Sequence, residues 1–323
     1  MSMPTLEVHI NAGDLAEALR EDVWTGLRAE PKWLSPKWFY DGRGSELFDD
    51  ITRLPEYYPT RAERAILAER AAQIAGLTGA VTFVELGSGS SDKTRLLLDA
   101  FAARGGLETF VPLDVSESAL RQSTRELADT FPDLRLHGVV GDFTRHLDAL
   151  PKEGPRLVAL LGGTIGNLLP TERAEFLAGV RGVLEPGEWF LLGTDLVKDP
   201  GVLVPAYDDA AGVTADFNRN VLRVINRELG ADFDVDSFEH VAIWDADREW
   251  IEMRLRAGRA SEVRVAALDL TVPFAAGEDL RTEISAKFRP AGVAQELAEA
   301  GFRTRRWWTD PDGRFGVSLA EAH

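Results

Sequence analysis

Val81-Thr82-Phe83-Val84-Glu85-Leu86 runs straight into Gly87-Ser88-Gly89-Ser90-Ser91-Asp92-Lys93. The first half is a short apolar run of the kind that forms a buried strand. The second half is a glycine turn, and helical spacing follows from about Lys93 to Ala103. Glycine lets backbone approach a ligand where a Cβ would collide. A dinucleotide site wants a third glycine, so that helix packs on strand. Here that position holds Asp92, followed by Lys93. The loop is therefore a poor pyrophosphate cradle. It suits a nucleoside ligand with an amino-acid tail and no phosphate, such as S-adenosylmethionine. Taken alone, the same residues also make a tight strand-to-helix turn with no ligand.

Downstream, strand and helix alternate. Phe110 to Val115 reads as a second strand, with Asp114 near its end, and Ser116 is placed to cap a helix reaching about Phe131. Leu136 to Phe143 reads as a third strand ending in Asp142, and Leu157 to Leu161 as a fourth, followed by Gly162-Gly163-Thr164-Ile165-Gly166-Asn167. A helix over 171–184, the turn Pro186-Gly187 and a fifth strand from Trp189 to Leu192 close the series at Gly193-Thr194-Asp195. This pattern is a Rossmann-like, doubly wound α/β sheet. Ligands of such sheets lie at the carboxyl ends of the strands. Glu85, Gly87, Asp114, Asp142, Gly162 to Asn167 and Asp195 collect there. An acid after the second strand can accept two ribose hydroxyls, and one beyond the third can accept an adenine amino group with Phe143 packed nearby. Each acid alone is as well explained by a helix cap or a turn.

Upstream, residues 12–28 carry a helical stripe of Leu15, Leu19, Val23 and Leu27, with Asn11 or Asp14 able to start it. An aromatic, proline-broken stretch follows, with Trp33, Trp38, Phe39 and Tyr40, then a short helix over 45–54. Pro55-Glu56-Tyr57-Tyr58-Pro59-Thr60 reads as a stiff extended loop. Its tyrosines either cover the edge of the core or line a pocket for a cationic amine. After Asp195, a polar helical stretch spans 200–230, and residues 240–273 alternate as antiparallel strands do. Arg281 to Phe288 follows Gly277. A helix over 291–300 and two last strands, Phe302 to Trp308 and Phe315 to Leu319, give the sheet an antiparallel edge hairpin. The expected division is an N-terminal helical segment, 1–60, contributing to a second α+β domain. A cofactor domain spans 61–196, an inserted substrate domain 197–287, and a closing helix and hairpin 288–323.

Fifty-three acidic residues against 36 basic ones give the 323-residue chain a net charge of −17, with the charges interspersed. Such a balance disfavours long contacts with nucleic acid or anionic lipid. There is no cysteine, which removes disulfides and thiolate chemistry together. Residues 1–20 hold acids and no long apolar run, so no signal peptide or membrane span is expected there. The five histidines show no metal-ligand spacing, and no metal is expected. The reading is a cytoplasmic, monomeric small-molecule enzyme.

Glu85-Leu86-Gly87-Ser88-Gly89, Asp114, Gly141-Asp142-Phe143 and Leu184-Glu185-Pro186-Gly187 resemble the ordered motifs of class I S-adenosylmethionine methyltransferases. Longer segments resemble a narrower family, the L-histidine Nα-methyltransferases of ergothioneine biosynthesis, of actinobacterial type. They are Pro36 to Asp41, Leu54 to Thr60, Leu161 to Asn167, Gly193 to Asp199, Ala206 to Asp209, Phe217 to Asn220 and Glu283 to Phe288. The likeness runs from about residue 12 to the end. It implies that Gly87, Lys93, Asp114, Asp142 and Phe143 bind S-adenosylmethionine. It implies that Tyr57, Asn167 and Tyr207 hold the amino-acid end of L-histidine, and that Glu283 and Ser285, with Ile284 between them, read the imidazole. Tyr40 would face the amine, with Asn167 as its catalytic companion, and Met253 would line the pocket. The expected product is the trimethylated betaine, hercynine. Other readings stay open on the residues alone: a methyltransferase for another small amino acid or amine, a nicotinamide oxidoreductase, or a cofactor-binding regulatory module.

Overall fold

The computed structural model describes residues 4–89 and 92–323, the side chain of Asp92 excepted. Ser90 and Ser91 of the glycine turn lie outside the described residues. In chain order the elements are β1 (Thr5–Val8), α1 (Ala12–Gly26), α2 (Gly42–Arg53), α3 (Pro59–Thr78), β2 (Thr82–Leu86), α4 (Asp92–Arg104), β3 (Thr109–Asp114) and α5 (Glu117–Thr130). Then come β4 (Arg135–Val140), β5 (Arg156–Leu160), α6 (Pro170–Val183), β6 (Trp189–Asp195), α7 (Pro200–Leu203), α8 (Val213–Leu229), β7 (Phe238–Asp245) and β8 (Trp250–Ala257). The chain ends with β9 (Ser261–Val265), β10 (Leu270–Phe274), β11 (Asp279–Ala286), α9 (Pro290–Glu299), β12 (Phe302–Thr309) and β13 (Phe315–Ala322).

Two compact units result: Met1–Asn11 with Pro59–Leu196 and Phe288–His323, and Ala12–Tyr58 with Val197–Lys287. The first holds an eight-stranded sheet in the order β1-β4-β3-β2-β5-β6-β13-β12. Every residue of β2 and of β5 is buried, as expected of parallel strands covered by helices on both faces. The strand order reverses at β2 and β5, which pair in register from Thr82 with Arg156 to Leu86 with Leu160. That reversal makes the crevice where ligands of doubly wound sheets bind. Ser116 caps α5, its hydroxyl accepting from the Ala119 amide, as the sequence indicates.

One feature of this sheet agrees with expectation and one differs. The terminal hairpin lies at the edge and is antiparallel, as the sequence indicates. Its second strand, β13, runs antiparallel against β6, and β12 runs antiparallel outside β13, so the outermost strand points with the parallel set. Residues 5–8, expected to go with the second domain, instead form β1 and pair in parallel with β4. That strand is four residues long and mostly exposed, and its one signal in the sequence is the alternation of Leu6, Val8 and Ile10 with polar residues. Inside the unit, Arg156 and Glu188 are buried together, with the guanidinium Nε 2.9 and 3.0 Å from the two carboxylate oxygens.

The second unit has a three-stranded antiparallel sheet, β11-β8-β7, and a two-stranded one, β10-β9. Helices α1, α2 and α8 belong to it, and α8 buries Phe217, Val221, Leu222 and Ile225. Around the expected tyrosine loop the chain bends instead of extending: the Tyr57 amide donates to Leu54 at 3.2 Å and that of Tyr58 to Glu56 at 3.0 Å. The two tyrosines then part. Tyr58 is buried and its hydroxyl accepts from Lys198 at 2.7 Å.

Candidate active site

In the first unit the candidate residues sit at the reversal of the sheet. Gly87 has φ 68° and Gly89 φ 48°, the left-handed region that glycine enters without strain. A Cβ on Gly87 would stand 3.8 Å from the Phe143 ring, so two residues 56 apart in the chain share one spot. Asp114, the last residue of β3, accepts from the Gly89 amide at 3.2 Å and from the Ser116 amide at 3.0 Å. Burial raises its pKa, partly offset by those amides. Asp142 lies two residues past β4. It closes a local turn, accepting from the amide and the hydroxyl of Thr144 at 2.9 and 2.6 Å. Phe143 meets Phe176 edge-on, with ring centroids 5.6 Å apart.

Lys93, expected to touch the cofactor, is held by a residue the sequence reading missed. Its ammonium pairs with Glu63 of α3, which is fully buried. Both Glu63 oxygens also accept from the Gly162 amide, at 2.8 and 2.9 Å. One carboxylate thus ties the start of α4 to the loop that carries Asn167. Gly193 makes room for it, because a Cβ there would fall 2.1 Å from Glu63 Oε1. Glu85 is buried in β2 and accepts from the Thr94 hydroxyl. Burial pushes its carboxyl up to about 7, with Glu63 and Asp114 adding repulsion and Thr94 and Lys93 opposing it. Asn167 ends a short 3-10 turn, Thr164–Asn167, entered through Gly162 and Gly163 at φ 82° and 74°.

The second unit brings its candidates together from widely separated segments. Tyr40 is 43% exposed, and its ring lies 5.5 Å from those of Phe48 and Phe217. Phe48 continues to Tyr57 at 6.1 Å, and Tyr57 to Tyr207 at 6.4 Å. Phe48 and Phe217 were not selected as site residues from sequence, although Phe217 opens the Phe217 to Asn220 segment that carries part of the family resemblance.

On the sheet, Glu283 of β11 pairs across with Met253 of β8, and Ser285 with Ile251. Strand alternation sets Glu283 and Ser285 on one face and Ile284 on the other, so Ile284 can reach a ligand on the first face only through its main chain. Tyr207 Oη lies 2.7 Å from Ser285 Oγ. Lys287, a further residue not selected from sequence, donates to both oxygens, at 2.7 and 2.8 Å.

Tyr207 is fixed from its backbone as well. His240 Nε2 donates to its carbonyl at 2.8 Å, and Nδ1 accepts from Asn218 at 2.8 Å. Burial holds the His240 pKa below its ordinary value, which suits a neutral ring with one donor and one acceptor. Asn218 in turn accepts from Thr282 at 2.6 Å. Three of the five histidines fall elsewhere, near β1: Glu7 bridges His9 and His137, and the His146 ring lies 6.0 Å from that of His9. Among the described residues, no cluster of three or more His, Cys, Asp or Glu could hold a metal, and no helix is long and apolar enough to cross a membrane.

The family profile for histidine-specific, S-adenosylmethionine-dependent methyltransferases matches residues 19–322. The chain is 60% identical to the histidine N-alpha-methyltransferase of Mycolicibacterium smegmatis, over 98% of each chain. It is 58% identical to the protein of that name from Mycobacterium tuberculosis, over 96% of each. It is 33% identical to ergothioneine biosynthesis protein 1 of Neurospora crassa, over 70% of this chain and 27% of that one. With the glycine turn, the strand-end acids and this match over nearly its whole length, the chain belongs to the histidine-specific, S-adenosylmethionine-dependent methyltransferases.

Proposed function

We propose that the protein methylates the α-amino group of free L-histidine three times, giving hercynine, within ergothioneine biosynthesis. The observation that carries this reading is the face shared by Glu283, Ser285 and Met253, with the Tyr207 hydroxyl 2.7 Å from Ser285. A carboxylate and a hydroxyl two residues apart on one strand suit a ring with two nitrogens. The high identity to two histidine N-alpha-methyltransferases supports the same substrate.

The donor site fits S-adenosylmethionine. Gly87 and Gly89 offer backbone without a Cβ, Phe143 offers a ring face beside Gly87, and Asp114 offers a carboxylate for the ribose hydroxyls. When bound, the cofactor supplies an electrophilic methyl on a sulfonium. Asp142, and Lys93 steadied by Glu63, are the remaining proposed holders. For Asp142 the part left is the one its Thr144 turn does not use.

What this chain contributes is mainly position. Aligning nucleophile and electrophile at near-attack distance is worth about 7–11 kcal/mol of barrier. Tyr57, Asn167 and Tyr207 would hold the amino-acid end, and Tyr40 would face the amine. Asn167 is neutral, so it does not hold a proton on the nitrogen as a carboxylate would. Each methyl added removes an N–H donor, and aromatic rings tolerate that loss because their faces also attract a quaternary cation. The linked rings of Tyr40, Phe48, Tyr57 and Phe217 supply such faces.

Incubation with S-adenosylmethionine and a mixture of amino acids, read by mass spectrometry, tests this directly. Histidine should gain one to three methyls and the others none. Methylation of a different amino acid in preference would establish the competing reading.

A further inference from the structure

In β11, Arg281 pairs with Arg254 and Glu283 with Met253, so Thr282 is one residue more than the partner strand accounts for. This is a β-bulge, which breaks the ladder locally and re-aims the side chains beyond it. Side chains alternate with a period of two, so one extra residue moves every later side chain to the other face. Before the bulge, Leu280 shares a face with Leu255; after it, Glu283 and Ser285 share that face with Met253 and Ile251. A regular strand would instead set Thr282 opposite Met253, Glu283 opposite Glu252 and Ile284 opposite Ile251. The face would then carry Thr282, Ile284 and Ala286, with Glu283 and Ser285 turned away.

The bulge is gripped from two directions. Along the outer edge of β11, the Arg281 amide donates to the Lys32 carbonyl at 3.1 Å, and the Arg281 carbonyl accepts from the Leu34 amide at 2.8 Å. Toward α8, the buried Thr282 hydroxyl lies 2.6 Å from Asn218 Oδ1 and 3.0 Å from the Met253 carbonyl. Both of those oxygens only accept, so the hydroxyl's one proton is shared between them. Asn218 cannot present its amide the other way round. Its nitrogen faces the Arg254 carbonyl at 3.1 Å, which also only accepts, so its oxygen is the atom left for Thr282. The same nitrogen lies 2.8 Å from His240 Nδ1, so α8 reaches β11 through Thr282 and β7 through His240.

The geometry points to Thr282 as a positioning residue whose hydroxyl pins this bulge, and so decides that Glu283 and Ser285 rather than Ile284 share the face of Met253. What that face binds rests on the histidine reading above; the phase of the strand does not. A strand able to adopt both phases binds its ligand in only one of them. Its apparent dissociation constant then rises as the inverse of the competent fraction.

Methyl NMR and calorimetry on the full-length protein test this together. In the unaltered protein the Ile284 methyls should show no contact with those of Ile251 or Met253, which lie on the other face. Thr282→Val keeps the branched shape and loses the hydroxyl, and in it those contacts should appear. Its dissociation constant for L-histidine, measured with S-adenosylhomocysteine bound, should rise about tenfold, the value for a competent fraction of about one in ten. Thr282→Ser keeps the hydroxyl and should stay within about twofold of the unaltered protein. Weaker histidine binding in Thr282→Val without the new methyl contacts overturns the proposal, because the loss then runs through Asn218 and His240 to Tyr207. Unchanged binding in Thr282→Val, or equal losses in Thr282→Val and Thr282→Ser, overturns it too, as do Ile284–Ile251 contacts in the unaltered protein. Should Thr282→Val fail to fold, Thr282→Ala takes its place with the same expectations. If the unaltered protein does not methylate histidine, the function reading fails, while the methyl contacts of the variants still decide what holds the strand in phase.

Discussion

The glycine-turn region and the β11 face are both polar sites in largely apolar units, but they are assembled differently. At the turn, several side chains are fixed by partners close in sequence, Asp114 by Ser116, Asp142 by Thr144 and Glu85 by Thr94, while Glu63 reaches Lys93 and Gly162 over 30 and 99 residues. On the β11 face the bonds are long-range, 78 residues for Tyr207 to Ser285 and 64 for Thr282 to Asn218. Local turns can be rebuilt by any chain with the right tripeptide. Long-range bonds exist only once the whole unit has folded. The first region therefore combines local turns with one long-range tie, whereas the second is built mainly from long-range bonds.

That contrast can be broken. Glu283→Ala should cut kcat/KM for histidine about a hundredfold, the loss of a charge-assisted hydrogen bond worth up to about 3 kcal/mol. Affinity for S-adenosylhomocysteine should stay within about twofold. Equal losses on both ligands would erase the distinction.

Next in size is a stability effect at the turn. Glu85 loses its proton near 4.5 when unfolded and near 7 when folded. Between those values the unfolded chain ionises first, so stability falls as pH rises through the window and levels off above it. Glu85→Gln stays neutral and should abolish that fall, adding up to about 3 kcal/mol at pH 8. Thermal melts of both proteins from pH 4.5 to 8 should therefore diverge as pH rises, and parallel curves would contradict the assignment.

Asp114→Ala should weaken S-adenosylmethionine about tenfold or more by removing a carboxylate acceptor, while histidine recognition is spared. Unchanged cofactor affinity in calorimetry would remove Asp114 from the site. The least direct effect on either ligand is that of Thr282→Val. Leaving buried Asn218 without its hydroxyl partner should cost about 1–3 kcal/mol. If Asn218 anchors Tyr207 through His240, KM for histidine should rise with kcat nearly constant; an unchanged KM with lower stability would make the chain of bonds purely structural.

Much of the first region was legible because its causes are local. Gly87 and Gly89 need positive φ, Ser116 caps the helix that follows it, and short, mostly apolar strands alternating with helices point to a parallel sheet. Lys93 shows where this ended, since its partner Glu63 sits 30 residues away in a charged, Ala-rich helix where nothing sets one acid apart from the others. Lys287 sits two residues past Ser285, within reach of a reading that asked which neighbours share its face. His240 gave no such hint.

From its order of residues alone this chain dictated the doubly wound sheet, the glycine turn and the acids at the strand ends, because each follows from backbone preference and short-range hydrogen bonding. Only tertiary structure decided that β13 slips between β6 and β12, that Thr5–Val8 joins the sheet, and that Lys287, Tyr207 and Ser285 close on one another. Those outcomes depend on which distant surfaces bury each other, and no local stretch carries that information.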